Sequence, residues 1–289
     1  MSRLALGTVQ FGLKYGVANQ SGQVSAADIG AILKQARVSG LDTLDTAIGY
    51  GESETRLGEA GVQGWRVITK LPPLPADVAD VAEWVRSQVA RSLQRLQVDG
   101  LDGLLLHRPA DLLGPSGPQY IAALESLRES GQVRSLGYSI YDPDELERLW
   151  PLWPAGLIQA PCNVLDRRLA RSGWLERLRA AGVRVHVRSL FLQGLLLMES
   201  TRRPQWFAPW RPLLDRWLQW CSQEGVTPLA AALSFGLALP GVERVVVGID
   251  SLQHLTQIVA ASTVAVPAMP AELGSDELDL IEPSRWRLT

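Results

Sequence analysis

Only two cysteines, Cys162 and Cys221, occur in 289 residues. Two thiols cannot build a disulfide framework or a zinc site, so the reducing cytoplasm is the expected compartment and both side chains are expected to act as small buried hydrophobes. No apolar stretch approaches the roughly 20 residues a membrane span needs. The opening Met1-Ser2-Arg3-Leu4-Ala5 also lacks the apolar core of an export signal. Neither membrane partner nor export is expected. Neither sign of charge prevails: 28 basic and 30 acidic residues leave a net charge of −2 and a pI near 6.0. That balance argues against nucleic acid as a partner.

Lysine is the scarcest basic residue. Lys14, Lys34 and Lys70 are three of the 28, and the rest are arginines. Lys70 closes the apolar run that begins at Trp65. In a chain that writes arginine for almost every cation, a lysine at a strand end points to a need for a compact ammonium with a tunable pKa, which a guanidinium does not offer.

With 46% hydrophobic content the chain can bury one large core, and its length fits a barrel, a doubly wound sheet or two small domains. Punctuation favours the barrel. Helix-like segments end at Gly40, Gly100, Gly131 and Gly182, and each glycine is followed by a short apolar run. Ser25, Thr227 and Asp142-Pro143-Asp144-Glu145 mark helix starts. Eight strands are expected, at 4–8, 43–45, 66–70, 104–107, 136–139, 157–160, 183–188 and 245–248. Runs such as Leu104-Leu105-Leu106 suit a parallel sheet buried on both faces, and eight strand–helix units fit the roughly 250 residues of a (β/α)₈ TIM barrel. No Gly-x-Gly-x-x-Gly follows the first strand, which argues against a Rossmann domain, and no linker divides the chain. A single domain over 1–289 is expected, with long loops at 71–75 and 199–212 and a Pro-rich tail at 265–289 lying over the barrel.

Asp45, Lys70 and His107 end consecutive strands, and Tyr50 follows Asp45 in its loop, so a barrel would bring all four to one mouth. Carbonyl reduction needs such a set. A phenol, with a pKa of about 10, donates its proton readily near neutrality only beside a cation. Lys70 offers the cation, Asp45 its counter-charge, and a neutral His107 a hydrogen bond to the carbonyl. Taken singly, each residue fits a plainer role, His107 as a core histidine and Asp45 and Tyr50 as turn residues. Asp42 is expected to point away from the site, His186 to be structural, and Glu52 and Glu54 to favour the start of the next helix through its dipole.

Leu44-Asp45-Thr46-Ala47 followed by Gly49-Tyr50-Gly51-Glu52-Ser53-Glu54 resembles the signature of the aldo-keto reductase superfamily, with Asp45, Tyr50, Lys70 and His107 in the family's order. The resemblance runs from Leu6-Gly7-Thr8 to Val247-Gly248. It implies nicotinamide-dependent reduction of an aldehyde or ketone, or the reverse. It further implies that Ser139 and Gln159 hold the nicotinamide amide, with Ile140 where the family has Asn. Arg188, with Ser189 and Leu190, stands where many members stack a tyrosine, and Gln193-Gly194 resembles the loop over the cofactor diphosphate. Thr8 on the first strand, and Gly248, Asp250, Ser251, His254 and Gln257 after the last, complete the implied cofactor contacts. Asp250 would repel a 2′-phosphate or accept from a ribose hydroxyl. NADPH is the first expectation and NADH the alternative.

Trp206, Phe207 and Trp210 are candidates to wall an apolar substrate pocket or to fold against their own helix, while Trp217 and Trp220 are expected in the core. Two other functions fit part of the pattern: a Schiff-base aldolase using Lys70, and a cofactor-binding sensor or accessory barrel with little turnover. The tail ends in Trp286-Arg287-Leu288-Thr289, where Trp286 can anchor.

Overall fold

The structure, a computed structural model, describes residues 2–19 and 22–288. Met1 of the opening segment and Thr289 of the tail lie outside the described residues. Eight parallel strands close into a barrel in the order β1-β2-β3-β4-β5-β6-β7-β8. They are β1 (Leu4–Gly7), β2 (Thr43–Asp45), β3 (Arg66–Leu71), β4 (Leu101–Leu106), β5 (Val133–Ser139), β6 (Leu157–Pro161), β7 (Arg184–Arg188) and β8 (Arg244–Gly248). Around them run α1 (Val9–Gly12), α2 (Ala26–Val38), α3 (Ser53–Ala60), α4 (Val81–Leu96), α5 (Gly117–Glu129), α6 (Glu145–Leu149), α7 (Arg168–Arg171) and α8 (Trp174–Ala180). The set closes with α9 (Arg211–Gln223), α10 (Pro228–Ala238), α11 (Leu252–Ala261) and α12 (Leu278–Ile281). This is the expected (β/α)₈ barrel in one domain. Among the described residues no helix is long and apolar enough to cross a membrane.

Local chemistry sets the helix starts. Ser25 accepts from the Asp28 amide, and Thr227 from the Ala230 amide with Pro228 in the first turn. At the third expected start, α6 begins only at Glu145, whose carboxylate folds back to accept from the Tyr141 and Asp142 amides. Strands β4 and β5 begin directly after Gly100 and close after Gly131, three residues before the strands expected at 104 and 136, and Asp102 and Arg134 in those opening residues serve an ion network at the barrel's N-terminal end. There Arg184 pairs with Asp102 and Glu243 at 2.7 Å each, Arg66 reaches the same two carboxylates at 3.3 Å, and His186 meets Glu243 at 3.2 Å. Asp42 belongs to this end as well, paired with Arg244.

Most of the core lies between strands and helices, but Ile68, Leu105 and Leu157 form a separate cluster inside the barrel. Gly137 lets β6 approach β5: a Cβ there would stand 1.6 Å from the Leu157 carbonyl. The loop expected at 199–212 is largely wound, with 3₁₀ turns at Ser200–Arg202 and Gln205–Trp210 and Pro212 already in the first turn of α9. Loop 71–75 likewise starts later, since Leu71 still belongs to β3. Beyond α11 the chain packs on the segments after β6 and β7. The Ser275 amide donates to Leu165, Arg167 to Pro270 and Arg168 to Glu282, while Leu280 and Ile281 are buried.

Candidate active site

Side chains two residues apart on a strand share a face. Ile68, Leu105 and Leu157 fill the barrel, so Lys70, His107 and Gln159, each two positions on, form the next polar level towards the C-terminal mouth. Asp45 completes that level from β2.

Lys70 is fully buried, and its three ammonium protons are all placed. Nζ donates to Asp45 Oδ2 at 2.8 Å, to Asp45 Oδ1 at 2.9 Å and to the Thr46 carbonyl at 2.8 Å. Burial pushes its pKa down, but Asp45 and Tyr50 outweigh that and hold the ammonium above its ordinary value. Gln159 crosses the barrel to give Asp45 Oδ1 a further donor at 2.6 Å. The ammonium lies 5.2 Å from the centroid of the Tyr50 ring, and the His107 ring meets that of Tyr50 edge-on, with centroids 5.8 Å apart. Burial, with the charges of Lys70 and Arg188, pushes His107 down to about 4, so its imidazole is neutral near pH 7. The four residues named from the sequence therefore converge on one place.

Tyr50 is held by its backbone. Its amide donates to Ala47 and its carbonyl accepts from Ser53, whose hydroxyl in turn donates to the Thr8 carbonyl. Gly12 packs so closely on this turn that a Cβ would stand 1.7 Å from the Tyr50 carbonyl oxygen.

A cleft of about 910 Å³ opens over Asp45, Tyr50 and His107, with Lys70 beneath. Of the residues assigned to the cofactor, Thr8, Arg188, Ser189, Leu190, Gln193, Gly194, Gly248, Asp250 and His254 line it. Ser139 and Gln159 are buried neighbours in the β5–β6 register, and their Oγ and Oε1 atoms have no partner. Ser251 uses its hydroxyl to accept from the His254 amide at the start of α11, and Gln257 is exposed on α11 outside the cleft lining. Asp250 lines the wall with an unpartnered Oδ1, and burial raises its carboxyl above the usual range.

The wall after β7 is unusual in its backbone. Ser189, Leu192 and Gln193 hold φ values of 63°, 47° and 53°, and Gly194 follows at 92°. Asn163 donates to the Ser189 carbonyl at 3.1 Å, and the Gln193 amide group donates to the Tyr15 hydroxyl at 3.1 Å, tying this wall to the loop after β1.

Some site residues escaped the sequence reading. Leu13, Tyr15, Asn19 and Tyr141 line the cleft, and the visible signal was a Gly-punctuated loop carrying an isolated tyrosine. Other expectations are corrected. Trp206, Phe207 and Trp210 do not line the cleft: Phe207 packs edge-on against Trp286 at 4.8 Å and Trp206 donates to Asp279. Phe207 and Trp206 instead hold the tail, and Trp210 packs against Trp206. Glu54 does lie in the first turn of α3 as expected, but it is also buried and accepts from Thr69 and Ser92 at 2.6 Å and from Arg95 at 2.6 and 2.9 Å. Trp217 is buried, stacked on Trp220, and donates to Leu196.

Comparison with known proteins gives a consistent match. The family model described as Aldo/keto reductase family matches residues 3–272. The chain is similar to the NADH-specific methylglyoxal reductase of Escherichia coli strain K12, with 25% identity over 98% of this chain and 96% of that protein. It is similar to L-galactose dehydrogenase of Arabidopsis thaliana, with 27% identity over 84% and 80%. A solved structure from Pseudomonas aeruginosa assigned to the aldo-keto reductases superposes with a TM-score of 0.67 at 25% identity, covering 90% of this chain and 89% of the other.

Proposed function

The chain belongs to the aldo/keto reductase family, and from that premise we propose that it reduces an aldehyde or ketone with a nicotinamide cofactor, Tyr50 serving as the proton donor. One observation carries the reading: an ammonium locked between both Asp45 oxygens stands 5.2 Å from the Tyr50 ring, whose centroid lies 5.8 Å from that of a neutral His107. Ser139 Oγ and Gln159 Oε1, buried side by side without partners, fit a carboxamide, which needs one donor and one acceptor.

When bound, the nicotinamide supplies hydride to the carbonyl carbon. The protein's residues handle the oxygen. As the C=O π bond opens, the Tyr50 hydroxyl gives its proton to that oxygen, and Lys70 stabilises the charge left on the phenol, which solvent then reprotonates. Asp45 fixes the ammonium, and neutral His107 donates a hydrogen bond to the carbonyl oxygen. The Schiff-base reading fares worse, because an amine that is fully buried and held charged by Asp45 is a poor nucleophile.

For the cofactor, where NADPH is the first expectation from the sequence, we propose NADH. Asp250 and His254 line the wall after β8, burial holds His254 below its usual pKa, and the arginines lining the cleft, Arg188 and Arg202, come from β7 and beyond. Among the described residues, a 2′-phosphate there would meet a carboxylate and no fixed cation. The Escherichia coli relative is likewise named for NADH. The partners of this reading are small carbonyl compounds, in the cytoplasm.

Tyr50→Phe tests the acid: turnover should disappear while fluorescence titration still shows cofactor binding, and an active variant would end the assignment. Tight binding with no turnover of any carbonyl by the parent would favour a sensor. Side-by-side titrations should favour NADH over NADPH, with Asp250→Ser narrowing the gap.

A further inference from the structure

All five N–H groups of Arg168 are placed. Nε donates to Asp166 Oδ1 at 2.9 Å, Nη2 to Asp166 Oδ2 at 3.0 Å and to the Tyr141 carbonyl at 3.2 Å, and Nη1 to Asp142 Oδ2 at 2.7 Å and to Glu282 Oε1 at 3.0 Å. A guanidinium has no sixth donor. These partners come from three segments that are distant in sequence: the loop after β5, the turn after β6 and the tail. The turn is itself fixed, since Asn163 Oδ1 accepts from the Leu165 and Asp166 amides at 2.9 Å each and Asp166 is fully buried.

What this junction holds is Tyr141. Its carbonyl accepts from Arg168, its amide donates to Glu145 Oε1 at 2.7 Å, and its neighbour Asp142 is bound to the same two side chains. With both of its main-chain polar groups tied down, the backbone of Tyr141 is set and the choice of ring rotamer narrows. The ring lines the cleft and stays 42% exposed at its mouth.

The order of the strands says what the ring faces. Thr8, Gln159, Arg188 and Gly248, assigned to the cofactor, stand on or after β1, β6, β7 and β8, with Ser139 reaching in from the end of β5. Tyr50 and His107, which hold the carbonyl oxygen in the reading above, follow β2 and β4. The loop carrying Tyr141 adjoins His107, because β4 and β5 pair with Leu106 beside Tyr138. A carbonyl compound held at Tyr50 and His107 thus has Tyr141 at one side of its way out and Tyr15, from the loop after β1, lining the same cleft. The tail stays outside: among the described residues none beyond His254 lines the cleft, yet Glu282 supplies one of the five acceptors.

Resting on the reductase reading, we propose that Arg168 is a positioning residue for substrate selection: clamped by Asp166 and by Glu282 of the tail, it sets Tyr141 as a rigid wall on which the frame of the substrate stacks, favouring flat carbonyl compounds over small aliphatic ones. Lysine would not serve, since three ammonium donors cannot meet five acceptors in one plane.

The test takes benzaldehyde and propanal as probes and follows the ratio of their kcat/KM values. Tyr141→Ala should lower the ratio by about 10-fold, the worth of a stacked aromatic contact. Glu282→Gln leaves Arg168 paired with Asp142 and Asp166, so it should melt near the parent, keep the parent's kcat on propanal and lower the ratio by about 3-fold through the KM for benzaldehyde. Arg168→Lys should lower it further; should that variant fail to fold, Glu282→Gln decides alone. The discriminating protein is the double variant: with Tyr141→Ala already present, Glu282→Gln should change the ratio no more, because there is no ring left to place. A further 3-fold loss in that background overturns the proposal, as does a Glu282→Gln enzyme with the parent's ratio. NADH titrations run beside the kinetics, and a fall in NADH affinity with the aldehyde ratio unchanged also overturns it, since Tyr141 then serves the cofactor through Arg188. These outcomes leave the reductase reading standing. No turnover of either aldehyde by the parent overturns that reading and this proposal with it.

Discussion

Lys70→Met should destabilise the fold by far more than the loss of one surface lysine. The ammonium is fully buried and satisfies both oxygens of Asp45, itself only 4% exposed, together with the Thr46 carbonyl. Methionine fills the volume but leaves a buried carboxylate with Gln159 as its remaining side-chain donor. Orphaning one member of such a pair costs about 3–5 kcal/mol. At about 2 °C per kcal/mol for a chain of this size, the melting temperature should fall by about 6–10 °C. Adding Asp45→Asn removes the orphan charge, so the double variant should recover part of the loss and lie above the sum of the single effects. Calorimetry of the four proteins without cofactor measures this directly. A Lys70→Met protein melting within a degree of the parent, or strictly additive losses, would refute the buried-pair argument.

Three further outcomes follow from the same contacts. His107 has a folded-state pKa of about 4, below its unfolded value near 6.5. The unfolded chain therefore binds more protons in that window, and the His107 contribution, complete above about pH 6.5, declines as pH falls towards about 4. Urea midpoints between those limits should fall less steeply for His107→Asn than for the parent. Glu54→Gln strips Arg95 of its carboxylate and sets an amide against the Thr69 and Ser92 donors, which should cost about 2–4 kcal/mol in urea unfolding. Gly12→Ala drives a methyl into the Tyr50 carbonyl and must displace that turn, so kcat should drop by about 100-fold with cofactor affinity retained.

What the chain discloses by itself follows from the range of the forces involved. Strands buried on both faces must be continuously apolar, so the runs at Leu104-Leu105-Leu106 and Val245-Val246-Val247 announced the barrel and placed Lys70 and Asp45 at its mouth. Helix caps are equally local, and Ser25 and Thr227 act where expected. Glu54 is legible as a first-turn acid, but its buried partners lie 15, 38 and 41 residues away, beyond any local pattern. Asp102 and Arg134 concealed the starts of β4 and β5 because an ion network at a barrel end breaks the apolar rule without breaking the strand. Whether the aromatics near Trp206 wall a pocket or pack on their own helix stays open in the sequence, since nothing in their segment reveals that Trp286 arrives from the far end of the chain.

Three non-glycine residues held left-handed within five positions each cost on the order of 1–3 kcal/mol. Asn163 and Tyr15 are among the groups that keep them so, and this stretch faces the cleft. Relaxation and accuracy are therefore opposed at one spot in the molecule. Glycine in place of Gln193 would make the protein harder to melt and its reaction chamber less sharply defined, so directed selection for heat tolerance alone would tend to blunt the enzyme there first.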